Sequence, residues 1–266
     1  MALWEKRASK PKGTILLLHG KTWSALPDFD LQVTGENLSF MDGLVEKGYT
    51  VYALDGRGYG GTPRDHTGWL TPDRAAQDAT AILTWIKSRN GIASHLFGWS
   101  YGSMVAQLVV QRLPDLVSSV TLFGYPYYRG RFASTERPEY PAEAPAKENT
   151  AHNAASDFIT PGSISDEAIA AYVASALSAD PVRVDFKDLH QWQALDPTRI
   201  KTPLLLLQAE FDSLAPTEHQ GEFFQAVATS NKWWVSLPDG DHAALLETPR
   251  QRMLDAIDGF ISNLHQ

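Results

Sequence analysis

Three residues that lie far apart in the chain have the types and the surroundings needed to activate an alcohol. Ser100 lies within GWSYG, Asp212 within AEFDS and His242 within PDGDH. A serine hydroxyl is a weak nucleophile until a histidine takes its proton, and the histidine works best when a carboxylate orients it. Folding that brings these side chains together would let Ser100 attack a carbonyl carbon and form an acyl-enzyme.

The surroundings of Ser100 predict a nucleophile, although the motif itself is weak evidence. A Gly-x-Ser-x-Gly arrangement arises by chance in roughly one chain in ten of this length. Here an apolar run, SHLFGW, comes directly before the serine, and a helix-like run, GSMVAQLVVQRL, follows it. A sharp turn between a strand and a helix holds a serine nucleophile exposed. Gly98 and Gly102 fit such a turn, because the chain segments approach too closely there for a Cβ atom.

His242 is the best candidate for the base among the eight histidines. It follows the last predicted strand and precedes the last predicted helix, at 244–264, which places it at the carboxyl edge of a sheet. Gly240 lets the loop bend toward the serine. A helix-capping or surface role for His242 is the alternative. His19, by contrast, is predicted to shape its own loop by hydrogen bonding.

Asp212 is the best candidate for the orienting acid, because it follows the predicted strand at 203–208 by a few residues. Glu210 and Asp241 are the competing carboxylates, and Asp241 is the poorer partner because side chains of adjacent residues usually point apart. Asp239, Asp241 and His242 also allow a metal-binding interpretation. No further clustered histidine supports that interpretation, so we expect no metal.

Two backbone N–H groups are predicted to form the oxyanion hole, because attack on a carbonyl creates a negative charge that needs preorganised donors. One belongs to Tyr101, the residue after the nucleophile. The other is predicted in the loop after TILLLHG, with Lys21 as the first choice and Thr22 as the alternative. Trp23 and Trp99 are candidates for the substrate pocket, although tryptophan is as often part of a core.

The composition argues against several kinds of partner and chemistry. The chain has 266 residues, a formal net charge of -8 and no cysteine. The acidic balance predicts no nucleic-acid partner, and the lack of cysteine excludes disulfides and a cysteine nucleophile. The sequence has no signal-peptide-like segment and no apolar run of about 18 residues. We therefore expect a cytoplasmic monomer or homodimer without membrane contact.

Short apolar runs alternate with longer segments of helical period, which predicts a doubly wound, mostly parallel α/β sheet. The predicted strands are 14–19, 50–55, 94–99, 117–124, 203–208 and 232–237. Because these runs are apolar without alternation, we expect them to be buried on both faces. The predicted helices are 37–47, 72–89, 102–113, 217–228 and 244–264. Ligands of such sheets bind beyond the carboxyl ends of the strands.

Residues 125–200 interrupt this alternation and predict a helical lid inserted into a core formed by 1–124 and 201–266. The segment begins with YPYYRGR, passes through a Pro- and Ala-rich stretch, and contains the helix-like runs SDEAIAAYVASAL and DFKDLHQWQAL. Tyr125 and Trp192 are its predicted substrate contacts, and Tyr127 and Tyr128 add aromatic surface near the expected entrance. A decorative excursion without a role in binding is the alternative.

These residues together resemble the α/β-hydrolase superfamily over nearly the whole chain. The matching motifs are His19-Gly20, DGRGYGGT at 55–62, GWSYG at 98–102, AEFDSLAP at 209–216 and GDHAALLE at 240–247. The order of nucleophile, acid and base along the chain is also that of the superfamily. The resemblance implies a serine hydrolase of the esterase-like branch, with Ser100, Asp212 and His242 as its triad and with no cofactor.

Two features depart from the superfamily pattern. About a dozen residues precede the strand at 14–19, which predicts a shortened or partly missing β-hairpin at the start. The loop KTWSALPDFDLQVTGENL is long and polar, and Ala209 stands where glycine is more usual. The predicted reaction is hydrolysis of a carboxylic ester or lactone of a small, partly apolar substrate.

Other functions fit the same residues. An amidase or aminopeptidase, a carbon–carbon bond hydrolase or a cofactor-free perhydrolase would use the same triad, because fold does not decide the substrate. A small-molecule receptor with vestigial hydrolase activity is the alternative from another class. Gly56, Gly58 and Gly61 also match a dinucleotide-binding fingerprint, but Pro63 and Pro72 keep the following segment from continuing directly as a helix.

Overall fold

A central, mostly parallel sheet organises the molecule. A computed structural model of the chain describes residues 1–128, 130–133 and 138–264. Within these residues, seven strands form one sheet in the order β1-β3-β2-β5-β6-β8-β9. They are β1 Leu3–Lys6, β2 Gly13–Leu18, β3 Tyr49–Leu54, β5 Ser94–Trp99, β6 Val117–Phe123, β8 Leu204–Ala209 and β9 Lys232–Leu237. β1 pairs with β3 antiparallel, and the other neighbours pair in parallel.

Helices cover both faces of the sheet. They are α1 Ala25–Phe29, α2 Phe40–Glu46, α3 Pro72–Asn90, α4 Tyr101–Arg112, α5 Ala151–Ala155, α6 Asp166–Ala179, α7 Thr217–Ala226 and α8 Arg250–Asn263. Alternate residues of the strands enter two separate cores, as Ile15 and Leu17 on one face and Leu16 and Leu18 on the other illustrate. No helix in the described ranges combines the length and the apolar character needed to cross a membrane.

The predicted doubly wound sheet is confirmed, and its strand positions agree with the sequence pattern to within one residue. The expectation that every predicted strand is buried on both faces is wrong for β9. Trp233 and Trp234 of this strand are each 37% exposed. β9 is the last strand in the sheet order, so it has a neighbour on one side and less cover from helices than the central strands have.

The two ends of the chain compare differently with the predicted elements. β1 is the single strand before β2, as expected for a hairpin that is partly missing, and it pairs with β3 along Leu3–Lys6. The last helix begins at Arg250 rather than at 244. Pro249 explains the late start, because a proline disfavours the helical conformation of the residue before it.

The segment between β6 and β8 contains α5, α6, a short strand β7 (Asp185–Phe186) and the 3-10 helix Leu189–Ala194. The helix predicted from SDEAIAAYVASAL is confirmed as α6. The run DFKDLHQWQAL was expected to form a helix, but it divides into β7 and the 3-10 helix, and β7 pairs with the two-residue strand β4 (Trp69–Leu70). An αL conformation at Asp188 separates the two pieces, which a continuous helix does not tolerate.

This segment is anchored to the core next to His242. The Asp241 carboxylate accepts hydrogen bonds from the N–H of Ile159 at 3.1 Å and of Thr160 at 2.7 Å. A second anchor is Arg64, whose guanidinium donates to the carbonyl oxygens of Val182 at 2.8 Å and Arg183 at 2.6 Å. These hydrogen bonds hold the segment in place over the carboxyl ends of the strands.

Candidate active site

Ser100 lies on the tight turn between β5 and α4. Its backbone has φ 54° and ψ -117°, a conformation that costs about 1–3 kcal/mol for a residue other than glycine. The two glycines are required because a Cβ atom on Gly98 would lie 2.4 Å from the Gly102 carbonyl oxygen, and one on Gly102 would lie 2.2 Å from the Leu18 oxygen. The Ser100 N–H donates to the Phe123 carbonyl at 2.9 Å, which ties the turn to β6.

The structure brings Ser100, His242 and Asp212 into one hydrogen-bonded chain. The distance from His242 Nε2 to Ser100 Oγ is 2.8 Å, and that from His242 Nδ1 to Asp212 Oδ2 is 2.8 Å. An ionised carboxylate only accepts hydrogen bonds, so the proton of the neutral imidazole lies on Nδ1. Nε2 is then free to accept the Ser100 proton, which is the arrangement required of a general base.

Asp212 is positioned by the loop after β8. Its side chain is fully buried, and Oδ1 accepts the N–H of Leu214 at 2.9 Å and that of Ala215 at 3.1 Å. Oδ2 remains for the imidazole. The carboxylate can therefore rotate only at the expense of two backbone hydrogen bonds, and it holds the ring of His242 in one orientation.

The competing carboxylates point elsewhere. Glu210 is exposed and accepts the N–H of Asp239 at 3.1 Å. Asp241 is fully buried, but Oδ2 accepts two N–H groups of the segment at 159–160, and Oδ1 accepts the N–H of Ala243 at 2.9 Å. Its carboxylate thus holds loops together, and it does not bond to the imidazole of His242.

Gly124 is a residue of the site that the sequence reasoning missed. It follows β6 with φ 56°, and a Cβ atom there would lie 2.8 Å from His242 Cε1 and 3.3 Å from Asp212 Oδ2. Glycine is therefore needed both for the backbone conformation and for the space that the imidazole occupies. Its position at the carboxyl end of a central strand was the available signal.

We expect Gly124→Ala to displace the imidazole and to lower kcat/KM for a cleaved substrate by about 100-fold, because a misplacement of about 1 Å has effects of that size. Gly91→Ala is the matched control, since Gly91 has φ 76° and open space around its Cβ position. Both variants carry the strain of a positive φ, so both lose stability. Equal activity of the two proteins would show that the methyl group does not reach His242.

Three carboxylates hold the loop after β2 by accepting its backbone N–H groups. Its N–H groups donate from Gly20 to Asp28 at 3.1 Å, from Ser24 to Asp180 at 2.8 Å and from Ala25 to Asp55 at 3.0 Å. The Lys21 N–H donates to none of the described residues, and Tyr101, as the first residue of α4, has no partner for its N–H within the helix. Both predicted donors are therefore available, while Thr22 remains the alternative to Lys21.

His19 stabilises this loop by hydrogen bonding, as predicted. Nε2 accepts the N–H of Gly56 at 3.0 Å, so the ring proton lies on Nδ1 and is donated to the Gly20 carbonyl at 2.8 Å. Burial lowers the pKa of His19. The neutral ring links the loop after β2 to the turn after β3, where no helix follows Gly61, in agreement with the case against a dinucleotide site.

A cavity of about 350 Å³ opens beside Ser100, His242 and Tyr101. Trp23, Trp99 and Trp192 line it, as predicted. The prediction for Tyr125 is wrong. This side chain is fully buried against Phe223, and its hydroxyl donates to the Gln107 side chain instead of reaching the cavity. Hydrogen bonding gives a buried tyrosine a stable place in a core.

Tyr127 and Tyr128 also lie away from the cavity and line a separate surface groove together with His219. The two tyrosines therefore do not supply the aromatic surface that was expected for the cavity. Phe132, Phe186 and Leu189 supply the apolar surface of the cavity from the segment between β6 and β8.

Two carboxyl groups that the sequence did not point to also line the cavity. Burial raises the pKa of Asp28 well above its ordinary value, and the neighbouring Asp157 adds to the effect. The pKa of Asp157 is raised for the same reason, burial. The Tyr172 hydroxyl donates to Asp28 at 3.0 Å and Trp23 Nε1 donates to Asp157 at 3.0 Å. These contacts connect the cavity wall to α6.

Glu247 gives the loop of His242 a pH-dependent contact. Its carboxyl accepts the N–H of Asp241 at 3.0 Å and the Ser163 hydroxyl at 2.7 Å. Burial, together with the neighbouring Asp241 carboxylate, raises the pKa of Glu247 to about 7. The folded protein therefore holds a proton on this group at pH values where the unfolded chain has released it.

The stabilisation from this proton is complete below pH 4.5, the ordinary value for the group, and is lost as the pH rises through about 7. Relative to Glu247→Gln, we expect the free energy of unfolding of the wild type to fall by about 1–2 kcal/mol between pH 5 and pH 8. Urea titrations at several pH values measure this difference. The exposed Glu222→Gln serves as the control, and parallel pH profiles of wild type and Glu247→Gln would contradict the prediction.

The comparisons with known proteins agree with the fold. A family model described as serine aminopeptidase, S33, matches residues 9–249. A monoacylglycerol lipase from Paleococcus ferrophilus has a TM-score of 0.67 at 18% identity, covering 99% of this chain and 100% of that chain. A thermophilic esterase from Thermogutta terrifontis has a TM-score of 0.67 at 19% identity, covering 100% of this chain and 94% of that chain.

A further similar structure is a variant of the meta-cleavage product hydrolase CumD, with a TM-score of 0.70 at 16% identity, covering 98% of this chain and 94% of that chain. At such identities the likeness shows the fold and leaves the substrate open. No curated protein matches the chain by sequence.

Proposed function

The chain belongs to the serine aminopeptidase S33 family of the α/β-hydrolase superfamily, and from this premise we propose that it hydrolyses a carboxylic ester or lactone through an acyl-enzyme. The observation that carries the proposal is the continuous hydrogen-bonded chain from Asp212 through His242 to Ser100, with 2.8 Å at each step. Such a chain lets a serine act as a nucleophile at neutral pH.

In this proposal each group has one role. Ser100 Oγ attacks the carbonyl carbon while His242 Nε2 takes its proton, and His242 then protonates the leaving alcohol. Asp212 keeps the proton on Nδ1 and stabilises the charged imidazolium. The N–H groups of Tyr101 and Lys21 bind the oxyanion. A water molecule, activated by His242 in the same way, releases the acid product.

We further propose that residues 125–200 act as a lid over a core of 1–124 and 201–266. Phe132, Phe186, Leu189 and Trp192 of this segment line the cavity beside Ser100. Apolar side chains above the nucleophile exclude water and favour a substrate with an apolar part, since ligand sites are mostly apolar with a few placed polar groups.

Amide cleavage is the second candidate, because the matching family model is described as a serine aminopeptidase. Both reactions use the same triad, and they differ in the need to protonate a poor amine leaving group. A receptor that binds its ligand without turnover stays the alternative from another class. Cytoplasmic location and a monomeric or homodimeric state stay predictions.

Labelling with a fluorophosphonate tests the proposal most directly. The reagent reacts with activated serines, so we expect one adduct, and we expect mass mapping to place it on the peptide that contains Ser100. A panel of p-nitrophenyl esters, lactones and aminoacyl anilides then separates esterase from amidase activity. Absence of labelling together with absence of turnover on the whole panel would contradict the proposal and favour the receptor.

A further inference from the structure

Four charged side chains line the cavity that Ser100 also lines. Asp28 and Asp157 are its carboxyl groups, and the indole N–H of Trp23 donates to Asp157. Lys21 and Arg131 are its cations, and each lies over an aromatic ring, Phe186 and Phe132 respectively.

Lys21 brings its ammonium to the cavity from the oxyanion loop. Nζ lies 5.7 Å from the centre of the Phe186 ring, and the Phe186 ring packs 5.1 Å from the ring of Tyr101, the residue after the nucleophile. The side chain is reached by solvent within the cavity, yet enough protein surrounds it that desolvation lowers the pKa of Lys21, with Arg183 and Arg131 as the further causes.

Arg131 contributes the second cation from the segment between β6 and β8. Its guanidinium lies 5.6 Å from the centre of the Phe132 ring and 5.7 Å from that of Tyr128. One of its nitrogens donates to the Pro126 carbonyl oxygen. The aromatic contacts and the carbonyl leave the rest of the planar donor set available to a ligand.

Neither cation has a carboxylate partner among the described residues. The ion pairs of the described chain use eight other lysines and arginines or His242, and none of them involves Lys21 or Arg131. Arg183 and Arg131 both repel the positive charge of Lys21. Lys21 and Arg131 thus bring two positive charges without a carboxylate partner in the described chain to the cavity that Ser100 lines.

We propose that Lys21 and Arg131 form an anion subsite, and that the substrate of this hydrolase carries a carboxylate in addition to the carbonyl group that Ser100 attacks. This inference rests on the proposed function and names its substrate class. An ammonium and a guanidinium supply point-charge and bidentate contacts to a carboxylate, respectively. The carboxylate would also relieve the repulsion between the cations.

The two carboxyl groups of the cavity are engaged by hydrogen-bond donors. Asp28 accepts the N–H of Gly20 and the Tyr172 hydroxyl, and Asp157 accepts the Trp23 indole N–H. Burial raises the pKa of both groups, which favours their neutral forms and weakens their repulsion of an anionic substrate group.

Two matched pairs of substrates test the subsite. In the first pair, monomethyl glutarate and its monoamide differ in charge on the acyl side. In the second, 4-acetoxybutanoate and 4-acetoxybutanamide differ on the alcohol side. We expect the wild type to prefer the carboxylate over the amide in at least one pair by about tenfold in kcat/KM, equivalent to about 1.4 kcal/mol. The preference should shrink with added salt, as for charges near solvent.

The selectivity within each pair is then compared across variants, which removes general losses of activity from the comparison. Lys21→Met keeps the backbone N–H and removes the ammonium, and Arg131→Met removes the guanidinium. We expect each to reduce the preference to about threefold or less. Lys201→Met and Arg252→Met are matched controls at exposed positions, and they should keep the wild-type ratio. Similar rates within both pairs, or a preference that survives in both cavity variants, would overturn the subsite.

A binding measurement separates this proposal from the proposed function. Calorimetric titration of Ser100→Ala with the same four compounds needs no turnover. Tighter binding of a carboxylate than of its amide, lost in Ser100→Ala combined with Lys21→Met, supports the subsite even if no ester is cleaved. Equal affinity for the members of both pairs rejects the subsite even if the protein proves to be an esterase.

Discussion

Ser100→Ala is expected to lower kcat for a cleaved ester by about a million-fold, because the members of a serine triad act as a unit and the loss of the nucleophile removes the covalent pathway. His242→Ala is expected to have an effect of the same order. A residual rate about 10³–10⁴-fold above the uncatalysed reaction would remain from substrate binding and the oxyanion hole. Steady-state kinetics with p-nitrophenyl butyrate measure the loss.

The structure explains why Ser100→Ala should leave the fold intact. The strained backbone at Ser100 is enforced by the closely packed Gly98 and Gly102 and by the hydrogen bond of its N–H to β6, and alanine keeps all of these. The exposed Ser88→Ala in α3 is the matched control and should keep full activity and labelling. Wild-type turnover in Ser100→Ala would mean that another residue performs the chemistry.

The features that the sequence predicted well are those decided by residues close together in the chain. The turn that holds Ser100 depends on Gly98 and Gly102 within one pentapeptide, and the acid loop depends on the few residues that separate β8 from Asp212. Both patterns are local, because the backbone conformation of a turn is decided by its own residues. The strand positions were predictable for the same reason, since apolar runs of this length mark buried strands.

The sequence did not predict contacts between distant segments. Gly124 must be glycine because His242, more than a hundred residues later, occupies the space of a Cβ atom. Asp28 and Asp180 hold the loop of Lys21 from α1 and from the end of α6. Nothing in the neighbouring sequence of these residues indicates such partners, which appear only when the sheet order is known.

The aromatic residues of the segment at 125–200 show the same limit. Tyr125 and Trp192 are both buried, yet Trp192 lines the cavity while Tyr125 packs on Phe223 in the core. Their side chains are equally suited to either place. Whether each side chain lines the cavity or enters the core depends on which face of the segment packs against α7. The periodicity of the sequence does not indicate this face.

Asp212→Asn is expected to lower kcat by about 10⁴-fold while leaving KM nearly unchanged, because an amide in place of the carboxylate no longer holds the His242 proton on Nδ1. The charge that stabilises the imidazolium in the transition state is lost as well. The protein should fold, since the amide oxygen still accepts from Leu214 and Ala215. Circular dichroism and thermal unfolding verify the fold, and steady-state kinetics give the loss.

Variants of the two competing carboxylates, Glu210 and Asp241, test whether the loss of kcat is specific to Asp212. Glu210→Gln alters an exposed group that accepts only the N–H of Asp239 among the described residues, so its kcat should stay within about twofold of the wild type. Asp241→Asn weakens the contacts to Ile159, Thr160 and Ala243. Its main effect should therefore be a lower Tm, and its loss of kcat should be small compared with that of Asp212→Asn. If Asp241→Asn instead lost turnover as Asp212→Asn does, with an unchanged Tm, the orienting acid would have to be Asp241. The buried hydrogen bond that the imidazole donates to Asp212 would then not mark the carboxylate that stabilises the protonated base.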